Sequence, residues 1–100
     1  MKQHEHEALI RLIEVAKVPT GQGLRCADFL LAWWNAATCG GFDLTDFWAV
    51  DTSLCQDMLV VVQLVAREQS YPDTLGYKRH FDALIRTWRP HLIRQDEGPR

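Results

Sequence analysis

No stretch of this 100-residue chain is apolar for long enough to cross a bilayer as a helix. The longest run, "MLVVV" with "LVA" beyond Gln63, falls far short of the roughly 20 residues a span needs. The N-terminal "MKQHEHEALIRLIEV" has no uninterrupted apolar core of the kind a secretory leader carries. Cysteine is scarce and odd in number. Cys26, Cys39 and Cys55 form no C-x-x-C pair, which argues against a disulfide framework and for reduced thiols in the cytoplasm. There is no G-x-G-x-x-G and no phosphate loop, "GQG" being too short to cradle a phosphate. An excess of positive charge is missing too: 11 Lys and Arg against 13 Asp and Glu give a formal net charge of -2, so no long-range field draws in nucleic acid.

What is present describes a globular domain. The hydrophobic fraction of 47% and the charged fraction of 24% lie far from the composition that keeps chains disordered. The length suits one domain over residues 1–100, enough to close a single core. Helical periodicity runs throughout, and the expected fold is all-α: a compact bundle of four main helices near 5–18, 24–38, 52–69 and 76–89, with a short helical connector.

Each helix has its own signal. In the first, Leu9, Ile10, Leu12, Ile13 and Ala16 oppose Glu7, Arg11, Glu14 and Lys17. "VPTGQG" breaks it, because Pro19 disfavours helical geometry at Val18. The second helix carries Phe29, Leu30, Leu31, Trp33, Ala36 and Ala37 opposite a polar stripe of Arg25, Asp28, Asn35 and Thr38. Adjacent helix positions diverge by about 100°. Trp33 is therefore expected in the core and Trp34 at its rim, with Gly40 or Gly41 ending the helix. Val60, Val61 and Val62 favour a strand, but "TSLCQDMLVVVQLVAREQ" is too long and lacks a turn signal, so the third helix stands. The fourth shows Tyr77, Phe81, Leu84, Ile85 and Trp88 against Lys78, Arg79, Asp82, Arg86 and Arg89, and Pro90 ends it. Residues 94–100 read as a flexible tail. The expected core is Phe29, Trp33, Leu59, Val62, Phe81, Leu84 and Trp88.

Catalytic and metal chemistry find little support. His4 and His6 would diverge on a helix, the three thiols are scattered, and no signature pairs Cys55 with His80 or His91. Asp43, Asp46 and Asp51 lack the alternating ligands and distal Glu of a calcium loop and read as helix caps. No catalytic residue, metal or cofactor is expected.

The run "ADFLLAWWNAATCGGFDLTDFWAVD", followed by "SYPDTLGY" and "RTWRPHLI", resembles an uncharacterised family of short proteobacterial proteins carried largely on integrative conjugative elements and genomic islands. The resemblance covers about Leu9 to Ile93. It implies an accessory protein of a mobile genetic element and carries no established site residue.

Two functions remain. The first is a non-enzymatic protein-interaction module whose surface comprises Trp34, Phe42, Asp43, Asp46, Phe47 and Trp48, an apolar anchor with an acidic rim that meets a partner protein or another copy of the chain. Against it stands a bland reading in which Phe42, Phe47 and Trp48 plug the open end of the bundle. The alternative function is nucleic-acid association through Lys78, Arg79, Arg86, Arg89 and Arg94, residues that suit a solvated helix face equally well.

Overall fold

The first helix begins at Gln3, two residues before the start expected from hydrophobic periodicity, and Glu5 stands in its first turn. Its carboxylate reaches back to accept a hydrogen bond from Lys2 N at 2.9 Å, satisfying one of the amides a helix start leaves open. In the computed structural model, which describes residues 1–96 and the side chains of 1–93, α1 therefore spans Gln3–Ala16. Then follow α2 (Gly21–Cys39), a 3-10 connector (Leu44–Ala49), α3 (Thr52–Glu68), a π-turn (Asp73–Tyr77), α4 (Lys78–Trp88) and α5 (Pro90–Asp96). Among the described residues there is no strand, and the radius of gyration, 13.3 Å, is that of a compact domain of this length. The expected all-α bundle is what forms. The backbone is helical through Asp96, past the point where the sequence places a tail; residues 97–100 of that expected tail lie outside the described residues.

The break before α2 is shorter than its glycines suggest. Thr20 caps the helix, its hydroxyl accepting from Gly23 N at 2.9 Å, so Gly21 and Gly23 fall inside the first turn. Gly23 is required there: a Cβ would lie 2.0 Å from Val18 O and 2.9 Å from Val15 O, both backbone atoms of the preceding segment. Gly40, at φ 98°, ends α2. Pro90 ends α4 and opens α5, since a first-turn proline forfeits no helical hydrogen bond.

The central helix is α1, which packs against both α2 and α3, while α2 also meets α4. Leu9, Leu12, Ile13 and Ala16 of α1 are wholly buried with Leu30 and Leu31 of α2, Met58, Val61 and Leu64 of α3, and Phe81 and Leu84 of α4. Two expected core residues are corrected. Leu59 and Val62 are 51% and 44% exposed, and the inward stripe of α3 is Leu54, Met58, Val61 and Leu64. Phe29, Trp33 and Trp88 are half-buried at the core's edge.

Polar pins set the packing. Arg67 of α3 meets Glu5 through Nη1 at 2.7 Å and Nη2 at 2.6 Å, and Glu5 is only 2% exposed. Arg11 of α1 grips Asp57 of α3 in the same two-pronged way, both contacts at 2.9 Å. Trp88 Nε1 donates to Ala16 O at 2.6 Å, satisfying a carbonyl at the C-terminal end of α1.

Two measurements test this packing. Gly23→Ala is expected to lower the stability read by urea unfolding by about 1–3 kcal/mol or more, the cost of forcing extra volume into a closed site. Gly41→Ala, where an added Cβ meets nothing within 4 Å, should leave it unchanged. The hydrogen bonds from Arg67, then that from Lys2, hold the Glu5 carboxyl at about 2 against an ordinary 4.5. A carboxyl lowered in the folded state stabilises fully above its unfolded pKa, and that stabilisation is lost as pH falls through the folded pKa. The difference in melting temperature between wild type and Glu5→Gln should therefore be full above about pH 5 and shrink steadily as the pH falls towards 2.

Candidate interaction surface

The connector forms because Asp43 caps it. Its Oδ1 accepts from Thr45 N at 2.9 Å and from Thr45 Oγ1 at 2.8 Å, and these bonds hold the Asp43 carboxyl below its usual range. Phe42 and Phe47 turn inward onto Phe29 of α2. The three rings meet edge-on, with centroids 5.2 Å apart for Phe29 and Phe42, 6.5 Å for Phe29 and Phe47, and 5.2 Å for Phe42 and Phe47. Trp48 takes no part in this cluster and is 85% exposed, as Leu44 is 71% exposed. A large apolar ring left in water, beside a connector held down by two others, is an available contact.

The acids of this segment serve the fold as well as the surface. Asp46 Oδ1 lies 3.5 Å from Arg25 Nε of α2. Gln22 bridges to Asp51, its Oε1 accepting from Asp51 N at 2.6 Å and its Nε2 donating to Oδ2 at 3.3 Å. Trp34 is separate from the phenylalanine cluster: its ring meets Phe81 edge-on at 5.6 Å and borders a cleft with Tyr71 and Asp73.

The basic residues of the last helices divide by role. Arg89 is half-buried and donates through Nη2 to Asp28 at 2.7 Å and through Nε to Cys39 O at 2.9 Å, so it closes the C-terminal end of α2. Lys78 pairs with Asp82 at 2.9 Å. Arg79 and Arg86 are exposed. Arg94 belongs to α5, and its side chain lies outside the described residues.

The remaining reactive groups are dispersed. Burial pushes the Cys26 thiol up to about 11 and raises that of Cys39; Cys55 is half-buried on α3. His80 lies with Nδ1 3.2 Å from Lys17 Nζ, and burial followed by the Lys17 charge keeps its pKa below the ordinary value. His6 Nδ1 meets the Tyr77 hydroxyl, while His91 is exposed. Among the described residues no three His, Cys, Asp or Glu side chains are grouped as a metal site requires, and no helix is long and apolar enough to cross a membrane.

Sequence reading passed over Leu44 and Tyr71, the latter 61% exposed. Nothing in hydrophobic periodicity separates an exposed apolar residue from a buried one inside a short connector. The cue available for Tyr71 was its place before Pro72 in a turn.

Residues 6–89 match the model of a family of unknown function (DUF7673). No curated protein and no solved structure matches the chain.

The division among the basic residues yields a direct expectation. Arg89→Ala leaves Asp28 and the Cys39 carbonyl without their donor and should lower stability by about 1–3 kcal/mol in a urea titration. Arg86→Ala should stay within about 0.5 kcal/mol of wild type, as exposed substitutions do.

Proposed function

The chain belongs to the DUF7673 family of unknown function, and we propose that it is a non-enzymatic protein-interaction module centred on the 3-10 connector. The observation that carries this reading is Trp48, 85% exposed with Leu44 71% exposed in the same six-residue helix. Phe42 and Phe47 close the bundle end against Phe29 without it. Tryptophan anchors of this kind dominate the binding energy of protein interfaces, and Asp43 and Asp46 of the same segment are the acids assigned to its polar rim. The partner is another protein or a second copy of the chain, met in the cytoplasm. The resemblance of "ADFLLAWWNAATCGGFDLTDFWAVD" supports placing it as a proteobacterial accessory protein of a mobile genetic element. Nucleic-acid association is the second reading, supported by exposed Arg79 and Arg86 and weakened by the structural engagement of Arg89 and by the net charge of -2.

Affinity purification of the tagged protein from its own host, with and without nuclease, separates the readings. An interaction module retains its partners after nuclease treatment, and Trp48→Ala weakens their capture by roughly thirtyfold or more, as truncation of an interface anchor does, with an unchanged melting temperature. Phe47→Ala should instead lower that temperature. Partners that vanish with nuclease, or capture indifferent to Trp48→Ala in a folded protein, would overturn the proposal.

A further inference from the structure

Helix α3 stands at the outside of the bundle. It packs chiefly on α1, whereas α1 and α2 each meet two long helices. A surface helix ordinarily shows its charges to water and its apolar side to the core. In α3 the charges are spent elsewhere. Asp57 holds Arg11 of α1, and Arg67 holds both Glu5 of α1 and Glu68. Those three are the only charged residues of the helix. Arg67 apart, every exposed residue of α3 is uncharged.

Along this uncharged side runs a row of Cys55, Leu59, Val62 and Ala66, the first half-buried and the other three exposed. Exposed apolar residues scattered singly are ordinary; these four share one line on one helix. Their spacing is four, three and four, the 3.5-residue period that keeps an apolar seam facing a second helix when two helices pack side by side. Over those eleven positions the row rises about 17 Å. Gln56 and Gln63, both exposed, stand on the same side of the helix.

Charge and shape together indicate what covers the row. In coiled-coil pairs the residues flanking the seam choose the partner by charge, and glutamines offer a foreign helix no charge to read. A two-fold contact sets a face against itself and therefore opposes like charges wherever the face carries any; this one carries none. The row also reads alike from either end, large residues at its middle and small ones at both ends. Turned antiparallel on a second copy, Leu59 meets Val62 and Cys55 meets Ala66, so large side chains fill the centre and small ones let the ends close. We propose that α3 pairs antiparallel with α3 of a second copy of this chain through the row Cys55, Leu59, Val62 and Ala66. One helix pair falls below the standard interface size of about 1,600 Å², so the dimer is weak and reversible. Its residues are separate from those of the Trp48 surface, and neither proposal requires the other.

Sedimentation of the full chain under reducing conditions, from about 10 μM to about 1 mM, covers the affinity expected of so small an interface. The average mass should rise with concentration towards twice that of one chain. Leu59→Glu and Val62→Lys, each placing a charge in the seam, should each weaken self-association at least about tenfold. Both sites are exposed, so the melting curves of dilute samples should match wild type. In the antiparallel register positions 59 and 62 face each other across the dimer. An equimolar mixture of the two variants should therefore associate more tightly than either variant alone, the opposite charges now meeting. Trp48→Ala should leave the association as it is. A wild-type chain that stays monomeric throughout, which would leave the row to a helix of another protein, would overturn the assignment. So would self-association indifferent to Leu59→Glu, or a mixture that associates no more tightly than its components.

Discussion

The packing of the bundle depends on a carboxylate buried at the start of its central helix. Glu5 is 2% exposed, a position that is costly for a charge unless it is paired and its remaining acceptor sites are filled. Arg67 supplies a two-pronged partner and Lys2 N a third donor. The arrangement serves geometry more than net stability, since a well-packed apolar pair can hold two helices as firmly. A fork engaged at both oxygens admits one separation and one rotation of α3 against α1. Arg11 and Asp57, engaged in the same way further along, remove the remaining freedom.

That rotation decides which apolar face of α3 is buried. Met58 through Val62 is apolar at five consecutive positions, so hydrophobicity alone offers an inward stripe in any direction. With Asp57 and Arg67 turned towards α1, Met58, Val61 and Leu64 enter the core, and Leu59 and Val62 remain in water. The misplacement of those two residues on sequence grounds has this cause: the deciding groups were charged residues 46 and 62 positions apart from their partners, and no local periodicity records such a pairing. In α1 and α4 the alternation of apolar and charged residues was clean, and the buried faces there were legible. The aromatic content of the connector was legible as well, but not its division into two packed rings and one free one. That division follows from where Phe29 stands on α2, a tertiary fact.

The same pins account for the chain's distribution of charge. Arg11, Arg25, Arg67 and Arg89 each face a carboxylate on a different element, so the guanidinium groups that could have formed a continuous basic surface are distributed as ties between helices. A helix rich in arginine thus reads on sequence grounds as a candidate phosphate-binding face, whereas in the fold one of its members closes the end of α2.

Because the ends of the helices are satisfied by Trp88, Arg89 and the Asp43 cap, the aromatic residues of the connecting segments are released from that task. Trp88 covers the α1 carbonyl end, Arg89 the α2 carbonyl end, and the phenylalanine pair the gap beneath the connector. Trp48 and Tyr71 have no comparable structural partner for their rings among the described residues, and both stand in segments where an exposed ring adds nothing to helix formation. Burial therefore explains Phe42 and Phe47 completely and leaves Trp48 and Tyr71 unexplained. A single exposed ring is ordinary at a protein surface, so the proposed interaction surface rests on Trp48 together with Leu44 in the same short helix rather than on the larger aromatic cluster beside them.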